Sequence, residues 1–221
     1  MKRILTTLKE KWPEYLLEIF VIVLSIFGGL ELENWNENRQ NQNKENQYLQ
    51  HLLADAKKDS IFYQQRFEMF KEADSTYSHL IRLTQGESID SSKINNEIIF
   101  QYFAFQSKLV SNNEDTFDKV TNTRIKALLR DCFQQYEYVF IPLEVHNRAV
   151  ETVGRGWVLD NYSVFLEYQE GNLNSLKGNL SLQAVTSEIR SMIRTSSAQV
   201  EIFLGMIHEL TKELEKELNK S

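Results

Sequence analysis

Residues 48–84 read YLQHLLADAKKDSIFYQQRFEMFKEADSTYSHLIRLT, and their periodicity predicts the fold class. Positions spaced alternately four and three apart are mostly apolar: Leu49, Leu53, Ala56, Ser60, Tyr63, Phe67, Phe70, Asp74, Tyr77 and Ile81. This spacing puts them on one face of an α-helix. The stretch therefore predicts a long amphipathic helix, ended by Gly86 and the polar run that follows it.

Three further stretches predict helices: one over 93–108, one that begins at Phe117 or Thr123 and runs to Val153, and one over 182–218. Pro142 is expected to kink the middle one, because proline lacks an amide donor. Residues 157–168 are predicted to be helical, with a strand as the alternative, and residues 170–179 form the clearest loop. Four long amphipathic segments with short connections predict an all-α fold, an antiparallel helical bundle over 48–221.

Composition agrees with long helices and excludes several function classes. The 221 residues include only 8 Gly and 2 Pro, which disfavours a turn-rich β architecture. The formal net charge of −6 argues against a nucleic-acid partner, since such proteins normally carry a basic face. The single cysteine, Cys132, excludes an internal disulfide and a cysteine-based zinc site.

The N-terminal region predicts a membrane anchor. Residues 15–32 read YLLEIFVIVLSIFGGLEL, and a helix of this length rises about 27 Å, close to a hydrocarbon core. Basic residues precede it and acidic residues follow it, so the positive-inside rule puts residues 1–14 in the cytoplasm. The prediction is a single-pass protein of the cytoplasmic (inner) membrane, with a polar stalk over 33–47 and a periplasmic domain over 48–221. The alternatives are a cleaved signal peptide and a buried helix of a soluble domain.

Within the predicted transmembrane helix, Glu18, Ile22, Ser25 and Gly29 lie on one stripe. Ser25 and Gly29 form a small-xxx-small pair, which lets a second helix approach closely. The stripe predicts a packing seam with a second copy or another envelope protein, whereas Glu18 could instead reach toward the interface. Trp12, Tyr15 and Trp35 are expected to be interfacial anchors beside the lipid bilayer.

The run Glu18-Ile19, then VIVLSIFGGLEL and residues 34–37, resembles the signature GEI-x-LVVIGILIAL-x-x-NNWNE of an uncharacterised single-span membrane family of Bacteroidetes-type bacteria. The family's glutamate matches Glu18 and its WNE matches residues 35–37, while Leu17 stands where the family has glycine. A weaker similarity lies at residues 113–136, which resemble a T-Y-x-x-L … L-R helix of the same family. Since the family has no established activity, the resemblance implies topology and compartment only.

The sequence carries few patterns that are typical of catalysis or metal binding. No phosphate-binding loop, nucleophile elbow or H-E-x-x-H motif is present in the sequence. His51, Asp55 and Asp59 share one helix face, which predicts a solvated surface more readily than a metal site. Cys132 lies between apolar neighbours and is expected to be a buried, inert thiol.

The glycines at 154 and 156 are interpreted as a turn. The alternative is that Arg155 and Trp157, which adjoin them, contact a ligand. Seven aromatic residues are interpreted as core rather than as a binding pocket: Phe100, Phe103, Phe105, Phe133, Tyr136, Tyr138 and Phe140.

These observations predict a non-enzymatic interaction or scaffolding component of the cell envelope, with no catalytic residues, metal or cofactor. Its expected partners are the lipid bilayer and, through the transmembrane helix, either another copy of the chain or another envelope protein. The alternative function is an extracytoplasmic ligand-sensing domain that acts through a separate signalling protein.

Overall fold

The computed structural model describes residues 2–113, 117 and 119–220, and the side chains of residues 12, 16–113, 117 and 119–220. These residues form helices and irregular segments and contain no strand, so the predicted all-α class is confirmed. The chain divides into two compact units, one up to Tyr48 and one from Leu49 onward.

Helix α1 spans Lys2–Thr84 and contributes residues to both units. The predicted membrane segment 15–32 and the polar stretch 33–47 both fall within it. In the described part of the chain, none of the helices combines the length and the apolar character needed to cross a membrane. The transmembrane part of the fold prediction is therefore not supported, whereas its helical part is.

The second unit contains the remaining helices. They are α2 (Lys108–Asn113), α3 (Thr123–Ala149), α4 (Arg155–Asp160), α5 (Tyr162–Gln169) and α6 (Leu180–Leu218). A π-helical turn, Val150–Gly154, joins α3 to α4, and short 3₁₀ turns lie at Ser91–Lys93 and Leu173–Leu176. The side-chain carbonyl of Asn122 caps α3 by accepting from the backbone amides of Arg124 and Ile125, and that of Asn179 caps α6 by accepting from the Leu182 amide.

Three long helical stretches, α1 from Leu49 onward, α3 and α6, form the core of this unit. Lys57 pairs with Glu215 and Asp74 with Arg190, so α6 runs antiparallel to α1. Gln135 of α3 bonds Gln199 and Arg124 bonds Glu209, so α6 is also antiparallel to α3. Hence α1 and α3 run parallel, and residues 85–122 connect them as a crossover.

The crossover corrects one element of the prediction. The sequence predicts a helix over 93–108, but residues 94–107 form turns and irregular backbone, and α2 is the only α-helix among the crossover residues that the structure describes. The predicted bundle of four long helices is therefore built from three. Residues 94–113, which we call the strap, contact α1 and α3 and are irregular up to residue 107. The helices predicted at 48–84, 157–168 and 182–218 are confirmed, with a break at Asn161 between α4 and α5.

Candidate interaction surfaces

The described N-terminal part of α1 exposes an unusually apolar helix surface. All large apolar side chains within residues 16–32 have exposed fractions between 43% and 68%. Monomeric soluble proteins rarely leave so large a contiguous apolar surface uncovered. This segment is therefore a candidate surface for contact with another apolar partner.

The predicted seam lies on this surface. Glu18, Ile22, Ser25 and Gly29 are all exposed, and a Cβ atom placed on Gly29 would meet no atom within 4 Å. The Ser25 hydroxyl donates to the Val21 carbonyl at 2.7 Å, so its hydrogen bond is made within the helix. The stripe is thus open to an approaching helix, and its use as a seam stays a prediction.

Two of the predicted interfacial aromatics, Trp12 and Trp35, are exposed. The Arg39 guanidinium lies 5.6 Å from the centre of the Trp35 ring, which places a cation beside that aromatic side chain. The side chain of Tyr15 lies outside the described residues.

Arg155 and Trp157 both have partners within the fold. The Trp157 ring is buried and its indole N–H donates to the Ser181 hydroxyl at 3.0 Å. The Arg155 guanidinium lies 5.1 Å from the Tyr102 ring centre. These contacts join α4 to α6 and to the strap, and the predicted ligand contact stays untested.

The glycines beside these residues do not form the expected turn. Gly154 ends the π-helical turn and Gly156 lies within α4, so the chain remains helical through both. The ring of Phe100, a residue with φ of 58°, lies directly against Gly154. The absence of a side chain at residue 154 is what admits that ring.

The prediction of a solvated acidic face at Asp55 and Asp59 is wrong. Asp59 is only 1% exposed, and its carboxylate accepts from the Ser107 hydroxyl at 2.5 Å and from the backbone amides of Lys108 and Leu109 at 2.8 and 3.0 Å. Asp55 accepts from the side-chain amide of Asn112 at 2.9 Å. The two carboxylates therefore fasten the strap to α1, because they satisfy donors at the start of α2.

Burial shifts the pKa values of Asp59 on α1 and Cys132 on α3. Desolvation raises the pKa of Asp59, and the hydrogen bonds from Ser107, Lys108 and Leu109 oppose that change. Cys132 is buried, as predicted, and desolvation raises its pKa to about 12, so its thiol stays protonated and inert at neutral pH.

The strap is held on its other side by α3. The side chain of Asn147 accepts from the Phe103 amide at 3.0 Å and donates to the Phe103 carbonyl at 2.9 Å. His146 is buried, with its Nε2 atom 3.3 Å from the Gln101 carbonyl oxygen, and its Nδ1 atom has no hydrogen-bond partner among the residues that the structure describes. Of the predicted aromatic core, Phe103 is buried, whereas Tyr138 and Phe140 are exposed.

The open grooves on the described surface of the second unit include the following two. One has a volume of about 700 Å³ and is lined mainly by one face of α6, including Arg190, Ser191, Arg194, Thr195 and Ala198. We call these five residues the α6 groove. The other groove, of about 420 Å³, lies where the loop around Ser88 meets residues 171–177.

Comparison with known proteins gives no family assignment: no protein-family model, curated protein or solved structure matches the chain. No cluster of three or more His, Cys, Asp or Glu side chains suited to a metal ion occurs among the residues that the structure describes.

Proposed function

We propose that this chain is a non-enzymatic interaction protein of the cell envelope, attached to the cytoplasmic membrane through the apolar segment 16–32. The observation that carries the proposal is the exposure of all large apolar side chains in that segment. In the proposed topology the N-terminus is cytoplasmic, residues 15–32 enter the bilayer as a single span, and the helical domain is periplasmic. The sequence resemblance at residues 18–37 to a single-span family supports the same arrangement.

The length of the apolar stretch constrains how it can meet the bilayer. The uncharged part, 19–30, rises about 18 Å as a helix, less than the roughly 30 Å of a hydrocarbon core. A span therefore requires Glu18 and Glu31 to lie near the two interfaces, with local thinning of the bilayer or with a partner for Glu18. A helix lying in the interface is the other geometry by which this segment can attach.

The test is membrane fractionation of the full chain and of Leu24→Arg, which puts a charge at the centre of the segment. An arginine there costs about 2.5–3.5 kcal/mol on insertion, so the variant should shift to the non-membrane fraction. The control is Ile61→Arg, at an exposed apolar residue of the second unit, which should fractionate like the parent. Retention of Leu24→Arg after alkaline extraction, at the parent's level, would contradict the proposal.

A ligand sensor is the second candidate, favoured by the smaller groove. Its lining is polar and includes Ser88, Ser91, Asn172, Asn174 and Lys177. A polar ligand that binds there should raise the melting temperature of the parent, and Lys177→Ala should abolish the rise. If no polar compound in a metabolite panel shifts the parent, this candidate fails.

A further inference from the structure

The outer face of α3 carries apolar side chains that no part of the described fold covers. Tyr138, Ile141 and Val145 follow one another at helical spacing, and their exposed fractions are 53%, 57% and 45%. Val139 and Leu143 on the same helix are buried in the core. This part of α3 is thus apolar on two faces, as is typical of a helix with neighbours on both sides. We call Tyr138, Ile141 and Val145 the α3 ridge.

Acidic side chains flank the α3 ridge. Glu137 and Glu144 are exposed and lie one heptad apart on one side of it. Glu144 is 3.6 Å from Arg148, whereas Glu137 has no ion-pair partner among the described residues. The ridge is therefore an apolar row beside one acidic side chain, Glu137, that forms no ion pair with any described residue.

The α6 groove has the complementary character. Ser191, Thr195 and Ala198 have small side chains, so another helix can approach the α6 backbone closely there. Arg190 is fixed by Asp74, with nitrogen–oxygen distances of 2.8 and 3.3 Å. Arg194 is exposed and makes no ion pair with any side chain that the structure describes. The groove thus offers room and positive charge.

We propose that two copies of this chain associate through a two-fold contact in which the α3 ridge of each lies in the α6 groove of the other. Ridge and groove belong to the same unit and carry opposite charge, so a second copy satisfies both surfaces at once, as a self-complementary interface requires. Glu137 then faces Arg194 of the second copy, and the apolar ridge side chains leave water. The contact does not depend on segment 16–32 entering a bilayer.

Cross-linking of mixed single-cysteine variants of the full chain tests this geometry. Glu137→Cys chains are mixed with Arg194→Cys chains in non-ionic detergent and treated with a short bismaleimide. Cys132 is buried and should not react. The proposal predicts heterodimers that carry one variant of each kind. Ile61→Cys mixed with Arg194→Cys is the matched control and should give no heterodimers, because Ile61 belongs to neither the ridge nor the groove. Dimers joined only through segment 16–32 would not favour the 137–194 pair.

Charge reversal supplies the second test. Arg194→Glu and Glu137→Arg should each weaken dimerisation by about tenfold or more, measured by dilution and light scattering, and the double variant should regain most of the loss. Both residues are exposed, so the fold should persist, which circular dichroism checks. A chain that is monomeric at all concentrations overturns the proposal, as does a dimer that shows no preferred 137–194 cross-link and no charge-swap recovery.

Discussion

Asp59 accepts three of the hydrogen bonds that join the strap to α1. Replacing it with alanine leaves the Ser107 hydroxyl and the amides of Lys108 and Leu109 without their shared acceptor. We expect Asp59→Ala to lower the free energy of unfolding by about 2–4 kcal/mol, since buried donors without partners are costly. The measurement is chemical denaturation, combined with limited proteolysis of the strap.

The control for this prediction is Glu68→Ala, an exposed carboxylate on the same helix whose bonds are to Gln64 and Lys71. It should change stability by no more than about 0.5 kcal/mol. Equal stability of the two variants would show that Asp59 does not anchor the strap.

His146 should make stability depend on pH. Burial lowers the pKa of His146 below its ordinary value of 6.5, and the bond to the Gln101 carbonyl partly opposes this. Because the unfolded chain then binds the proton more readily, His146 lowers stability as pH falls from about 6.5 through the folded-state pKa. His146→Gln should lose less stability than the parent between about pH 7.5 and pH 5. Parallel curves for the two proteins would exclude this role.

Hydrophobic context predicted the burial of Cys132 and Phe103 correctly, but it failed for Tyr138 and Phe140, which are exposed. It also gave no sign of the long-range polar contacts that bury Asp59. Cys132 lies between Leu129 and Phe133 in an apolar helical context, and its burial follows from that context. Asp59 is a carboxylate whose partners lie 48 to 50 positions away, so its sequence neighbours give no sign of burial. The available signal was its position four residues before the buried Tyr63 on the same helix face.

The π-helical connection between α3 and α4 requires a glycine at residue 154. A Cβ atom at Gly154 would lie 2.7 Å from Cδ1 of Phe100, whereas at Gly156 it would meet nothing within 4 Å. Gly154→Ala should therefore destabilise the protein by about 1–3 kcal/mol through overpacking. Gly156→Ala, the matched variant in α4, should be neutral or stabilise by up to about 1 kcal/mol, because alanine favours helix. Thermal unfolding of both variants checks this, and equal effects would contradict the packing argument.

The long helices were predictable because each carries its periodicity within its own sequence. The irregular conformation of the strap was not predictable, since its backbone forms hydrogen bonds with side chains of helices that are distant in sequence. The Phe100 amide donates to the Tyr77 hydroxyl and the Phe103 amide to Asn147, 23 and 44 positions away. Its apolar spacing resembles that of a helix, but these bonds replace the helical ones. The glycine pair was misinterpreted as a turn for a similar reason, because the Phe100 ring that Gly154 admits is distant in sequence.

For the whole molecule, the sequence predicts the all-helical class and the extent of the long helices in the second unit, but not their order of packing. Parallel packing of α1 and α3 depends on the irregular crossover between them, which the sequence pattern predicts as a helix. The two kinds of interaction surface also differ in whether the sequence alone predicts them. The apolar segment 16–32 is evident in the sequence, whereas the α6 groove emerges only when Arg190 and Arg194 are placed on the folded surface.

The proposed topology can be measured with Lys220→Cys in bacterial cells, because the only native cysteine is buried. A membrane-impermeant maleimide is applied to spheroplasts before and after lysis. The proposed attachment, with the helical domain outside the cytoplasm, predicts that Lys220→Cys reacts fully in intact spheroplasts while the parent chain stays unlabelled. Labelling of Lys220→Cys only after lysis would place the helical domain on the cytoplasmic side and contradict the proposed topology.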